Sequence, residues 1–194
     1  LDYAISLGST EQPAWYVSSQ VSVIVPLPER SRPWQPKPDV FVVPGVPAQS
    51  RSSYDTRTEG PMPPFVLEVA SESTWQHDEG EKARLYALAG VQEYLVFDPT
   101  TQFLGMSLRG WHRVAGRWLP WPPVRRADGA TVWESTVLGL AARPEGLLLR
   151  FDHPTRGPLP VRRELVAALA RQQAELARAE ARARMEARAR VAAE

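Results

Sequence analysis

A single acidic residue inside an apolar run constrains this chain more than any other feature. Residues 65–69 read FVLEV, an apolar, β-branched stretch of strand length, and Glu68 stands where its neighbours Leu67 and Val69 call for burial. An ionised carboxylate in that setting is costly unless a partner or a metal offsets it. A helical segment follows. Ser73 and Gln76 have the spacing of a capping box, residues 78–89 carry the helical pattern, and Gly90 supplies the stop. Tyr94 to Phe97 is a second apolar run, closed by Asp98 and Pro99. Two buried strands joined by one helix predict a right-handed βαβ crossover over residues 63–98.

The helix offers Glu68 a partner. Lys82 precedes Leu85, Tyr86 and Ala89 by three, four and seven residues, a spacing that puts it on the stripe facing the sheet. Asp78 lies four residues before Lys82, on the same stripe. Upstream, residues 37–45 read KPDVFVVPG, and Asp39 stands at the entrance of a short strand. Two carboxylates and a lysine, with no His or Cys, suit a hard divalent ion. Mg²⁺ prefers oxygen ligands and keeps several waters. The lysine would then orient or deprotonate a water and steady charge building on phosphorus, which is chemistry for phosphodiester hydrolysis. Taken singly, each residue has a plainer role. Asp39 would be a strand-entry residue, Glu68 a sheet-edge carboxylate in water, and Lys82 half of an exposed pair with Asp78. Asp98 reads as a strand-end turn, Glu93 as a solvated carboxylate, and Trp75 and His77 as surface residues.

Around this centre the chain reads as follows. Residues 1–7 have the pattern of a helix end stopped by Gly8, residues 15–26 contain an alternating strand, and the proline-rich 26–38 form a loop. Residues 46–62 are polar and read as a mobile loop beside a cleft. After Asp98 the pattern becomes antiparallel: 103–114 and 117–121 flank Ala115-Gly116 as a hairpin. A short apolar piece at 136–140 and a last strand at 146–151 precede a linker at 152–160. Residues 161–194 are almost all Ala, Arg, Glu, Leu and Gln, without Gly or Pro. Leu165, Leu169, Gln172, Leu176, Ala179 and Ala183 alternate steps of four and three, so this helix is either a coiled-coil seam for self-association or a solvated single helix.

A net charge of +1 provides no global field toward nucleic acid or membrane, so any phosphate-binding surface is local. The absence of cysteine and the presence of only three histidines exclude disulfides and argue against a zinc cluster. No signal peptide or membrane span is legible, and a cytoplasmic protein is expected. The first residue is Leu1, which predicts a shortened N-terminus.

At these residues the chain resembles a known family. PDVFVV, LEVASEST and DEGEKARLYALAGVQEYLVFDP look like the Uma-two family of restriction endonucleases, within the PD-(D/E)XK nuclease superfamily. The matching features are Pro38-Asp39, Glu68-Val69, Ser71 to Thr74, Asp78 with Lys82, and Gly90 to Tyr94 with Asp98. The resemblance implies an α/β, restriction-endonuclease-like mixed sheet flanked by helices over residues 1–158, and a helical tail over 159–194. It implies Asp39 and Glu68 as ligands of Mg²⁺ (or Mn²⁺), Lys82 as the active-site lysine, and DNA as the partner. Many nucleases of the superfamily carry the lysine two residues after the glutamate; here Ala70 holds that place, so the role moves to the helix. Family members also begin with a longer segment than this chain shows. The rival expectation is an inactive nuclease-like module acting in oligomeric or nucleic-acid assembly through the tail. A two-carboxylate glycosidase leaves Lys82 unexplained.

Overall fold

Continuous apolar runs form the central strands, and the two faces of the central sheet are buried in different ways. In this computed structural model, residues 15–192 are described; the expected helix end at 1–7 lies outside them. The strands are β1 (Trp15–Ser18), β2 (Ser22–Ile24), β3 (Val40–Pro44), β4 (Ser53–Asp55), β5 (Phe65–Val69), β6 (Glu93–Phe97), β7 (Leu108–Val114), β8 (Arg117–Pro120), β9 (Val124–Arg125), β10 (Thr131–Ser135), β11 (Leu140–Glu145), β12 (Leu148–His153) and β13 (Gly157–Pro158). The helices are α1 (Trp75–His77), a π-turn (Asp78–Lys82), α2 (Ala83–Ala89) and α3 (Arg162–Ala192).

The central sheet has the order β1-β3-β5-β6-β7-β8. It is mixed: β5 and β6 run parallel, joined by the helical segment, while β3 and β7 flank them antiparallel. A crossover between parallel, adjacent β5 and β6 is therefore present, as is the hairpin turning at Ala115 and Gly116. Along β5 the side chains alternate. Val66 and Ala70 join the cluster formed with Leu85, Tyr86, Tyr94 and Val96 under the helix. Phe65, on the opposite face, meets Phe151 of β12 edge-to-face at 6.4 Å. A second, antiparallel sheet, β13-β12-β11-β10-β9, covers that side. Close approach at one point requires glycine: a Cβ on Gly110 would stand 2.7 Å from Leu95 Cδ2 and 3.3 Å from the Tyr94 carbonyl oxygen.

Several sequence expectations need correction. The polar stretch 46–62 is not a bare loop, because β4 lies within it and pairs in parallel with β2. Tyr54 anchors β4 with a wholly buried ring whose hydroxyl donates to the Pro61 carbonyl at 2.9 Å. Likewise the stretch 152–160 contains β13, which pairs with β12. Glu93 is not solvated. It is buried at the start of β6, where its carboxylate accepts bonds from Ser135 Oγ, Thr136 N and Oγ1, and Val137 N, tying the second sheet to the first. Asp98 is the turn residue expected, and it is fully buried, accepting from Thr100, Phe103 and Leu104. Those bonds to its charged form overcome burial and hold its carboxyl below the usual range. The capping box does not form: Thr74 precedes α1 without a side-chain cap, and Ser73 Oγ faces Ser71 Oγ instead. Trp75 is half-buried and packs against the core, whereas His77 is exposed.

The helix α3 is a separate unit and is described by itself. Glu164 Oε2 accepts from the Val161 amide at 3.1 Å, which closes its first turn. Its Leu165, Leu169 and Leu176 are exposed. Among the described residues no helix is long and apolar enough to cross a membrane.

Candidate active site

Antiparallel pairing brings Asp39 to Glu68. Val40 lies opposite Leu67 and Val42 opposite Phe65, so one further step in the same register sets Asp39 beside Glu68. The two residues then hold each other. The Val69 amide donates to Asp39 Oδ2 at 2.7 Å, and the Asp39 amide points at Glu68 Oε2, 3.3 Å away. Glu68 is 2 % exposed, while Asp39 remains half-exposed at the strand entrance.

The helix completes the group. Residues 78–82 form a π-turn in which the Asp78 carbonyl accepts the Tyr94 hydroxyl at 2.9 Å, an outside partner inserted at the point where the helical ladder widens. From this turn Lys82 reaches inward, with Nζ 3.0 Å from Glu68 Oε1 and 2.8 Å from Asp78 Oδ1. Its side chain is 17 % exposed, so the sequence expectation of an inward lysine holds in this geometry. Tyr86, one turn later, donates its hydroxyl to Glu68 Oε1 at 2.9 Å.

Two residues missed by sequence reasoning contact the carboxylates. Tyr86 lies on the inward stripe, where an aromatic reads as core packing; only its hydroxyl, which needs a partner when buried, signalled more. Gln20 donates its side-chain amide to Asp39 Oδ1 across nineteen residues, and nothing in its neighbourhood announces that contact.

The electrostatics follow from burial and charge count. Desolvation pushes the Glu68 carboxyl up to about 7, with Asp78 adding to the rise and Lys82 and Tyr86 opposing it. Desolvation acts against the charge on Lys82, but Glu68 and Asp78 outweigh it, and its pKa is raised above the ordinary lysine value. Lys82 is therefore an ammonium at neutral pH. The ammonium carries three N–H groups and forms ion pairs with both Glu68 and Asp78. Tyr86 and Tyr94 are pushed well above the usual tyrosine range, first by burial and then by Glu68, and stay neutral donors.

Asp39, Glu68 and Asp78 carry three negative charges when ionised against the one positive charge of Lys82. The excess of two matches a divalent cation. The donors are all carboxylate oxygens, and each oxygen of Asp39 and Glu68 accepts bonds while retaining lone-pair capacity. Among the described residues no group of three or more His, Cys, Asp or Glu is arranged to hold a metal by itself. A two-carboxylate set of this kind fits Mg²⁺ or Mn²⁺, which take one or two carboxylates and complete their shells with water and phosphate oxygen. It does not fit zinc, whose structural and catalytic sites use three or four protein ligands.

The sequence model of the family Uma2, described as "Putative restriction endonuclease", matches residues 4–136. That span contains Gln20, Asp39, Glu68, Asp78, Lys82 and Tyr86 and ends just past β10. No curated protein matches the chain.

Proposed function

The chain belongs to the Uma2 family, and from that premise we propose that it is a divalent-metal-dependent endonuclease hydrolysing phosphodiester bonds of DNA. The mixed sheet with its crossover is the restriction-endonuclease-like fold. The observation that carries the reading is the contact of Lys82 Nζ with Glu68 and Asp78 beside an Asp39 locked to the same strand end.

Asp39 and Glu68 are the residues that would hold Mg²⁺ or Mn²⁺. When bound, the ion supplies Lewis acidity and cancels charge on the phosphodiester. The half-exposed Asp39 marks the side from which substrate enters. Glu68 must be ionised to serve, and Lys82 and Tyr86 both favour that form. Lys82 directs an N–H at the attacking water and orients it, while its positive charge offsets negative charge building on the phosphoryl group. Being protonated, it donates a hydrogen bond and is not the base: as the new P–O bond forms and the ester P–O bond breaks, the water's proton passes to solvent or to a phosphoryl oxygen and the leaving oxygen departs as the alcohol. Asp78 holds the lysine ammonium in place, and burial under the helix keeps bulk water from screening the pair.

We assign residues 1–158 to the nuclease unit and 159–194 to a tail whose exposed Leu165, Leu169 and Leu176 support self-association. A plasmid-nicking assay with Mg²⁺ or Mn²⁺ tests both. Wild type should cut, Asp39→Ala should lose at least about a hundredfold in rate, and a chain lacking residues 161–194 should cut as a smaller assembly. A folded, metal-loaded wild type that leaves plasmid intact, with the tail alone governing assembly, favours the inactive-module reading. An Asp39→Ala variant at full rate removes the catalytic one.

A further inference from the structure

Gln20 is an exposed residue whose side chain is nevertheless engaged. It sits in the turn between β1 and β2 with φ of 56°, in the left-handed region that a residue with a Cβ rarely adopts. Its amide N–H donates to the Pro38 carbonyl at 3.0 Å, and the segment 21–25 continues alongside 34–36 through Val23 N to Pro36 O and Val25 N to Trp34 O, both 2.8 Å. The backbone of Gln20 is thus tied to the residue immediately before Asp39, and its side-chain amide is tied to Asp39 Oδ1. Asp39 Oδ2 is held by the Val69 amide. With one oxygen fixed from each side, the carboxylate plane has no free rotation.

A left-handed glutamine has no packing advantage here. Glycine would take the same φ without strain. A strained non-glycine residue is understandable where its side chain has a task, and this one contacts a carboxylate of the candidate site. We infer that Gln20 is a positioning residue for the divalent-cation ligand Asp39: its carboxamide fixes the orientation in which the carboxylate meets the ion. The inference rests on the proposed function, because it takes Asp39 as a ligand. Gln20 acts through Asp39 and not on substrate, so its loss weakens cation binding and spares turnover at saturating metal.

The test uses the full chain and two substitutions. Gln20→Gly keeps the left-handed backbone and removes the amide; Gln20→Met keeps the side-chain length and removes the donor. Mn²⁺ binding is measured by calorimetry on the protein without DNA, the melting temperature without metal, and plasmid nicking as a function of Mn²⁺. Loss of an outer hydrogen bond to a metal ligand weakens metal affinity by about 10–100-fold. Both variants should therefore bind Mn²⁺ at least about tenfold more weakly than wild type, and nicking should recover at high Mn²⁺. Gln20→Gly should also keep the wild-type melting temperature. Wild-type Mn²⁺ affinity in both variants overturns the inference, and so does weakened binding that tracks a lowered melting temperature in both. Asp39→Ala run alongside separates the two claims. If it binds Mn²⁺ like wild type, Asp39 is not a ligand and the proposed function falls with the inference; if it loses binding while the Gln20 variants do not, only Gln20's role is lost.

Discussion

Lys82→Met is expected to lower the stability of the protein by about 3–5 kcal/mol and to reduce DNA cleavage by at least about a hundredfold. The two effects have separate origins. Lys82 lies against Glu68 and Asp78, two side chains with almost no solvent contact. Methionine fills much of the same volume but leaves two neighbouring acids without a counter-charge, and the loss is a large part of a typical domain's stability. Protonation relieves that repulsion, so the variant should regain stability as pH falls. A divalent cation should also restore part of it at neutral pH, because the ion supplies charge. It should not restore the rate, because the N–H that orients water is gone. Chemical denaturation at pH 5 and pH 8, with and without Mg²⁺, reads the first effect, and single-turnover nicking reads the second. A variant as stable as wild type at pH 8 would mean that the lysine does not neutralise these acids.

Glu68→Gln is expected to separate stability from activity in the opposite direction. The Glu68 carboxyl has its pKa raised from 4.5 to about 7 in the folded protein, chiefly by burial. A raised folded value means that the native state holds the proton more tightly than the unfolded chain does. The stabilisation this provides is complete below the unfolded value and is lost as pH climbs toward 7. Across that window the wild type without metal should lose on the order of 3 kcal/mol through this one group, while Glu68→Gln, which cannot ionise, escapes the loss. The stability of the variant relative to wild type should therefore increase between about pH 4.5 and 7 and level off above. Cation binding runs the other way. It requires the ionised form, so Mg²⁺ affinity in the wild type should rise with pH up to about 7, with a proton released on binding. Glu68→Gln should bind Mg²⁺ poorly at every pH and cleave no DNA. A stability difference that does not change with pH would show that Glu68 is ionised alike in both states.

The legible part of this molecule was the part where charge conflicts with burial. Glu68 in FVLEV and Lys82 on an apolar stripe are anomalies that a sequence exposes, and the crossover between β5 and β6 follows from the strand, helix and strand around them. Asp39 carried a weaker signal, because the β3–β5 register that sets it beside Glu68 is a long-range pairing. What escaped was polar and distant. Glu93 looked solvated because its partners, Ser135 to Val137, come more than forty residues later. Tyr54 is a single aromatic in a polar stretch, and its parallel pairing to β2 has no local pattern. The π-turn coincides with the Tyr94 hydroxyl reaching the Asp78 carbonyl, a contact between two elements that propensity does not encode. Gln20 belongs to the same class, as an unremarkable polar residue whose backbone angle and amide contact exist only in three dimensions.

The most direct measurement is anomalous diffraction from crystals of the full chain soaked in Mn²⁺. One strong peak is expected within coordination distance of both Asp39 and Glu68, with Lys82 still bridging Glu68 and Asp78. A fully occupied Mn²⁺ elsewhere on the protein, with these two carboxylates engaged only by Gln20, Val69, Lys82 and Tyr86, would contradict it.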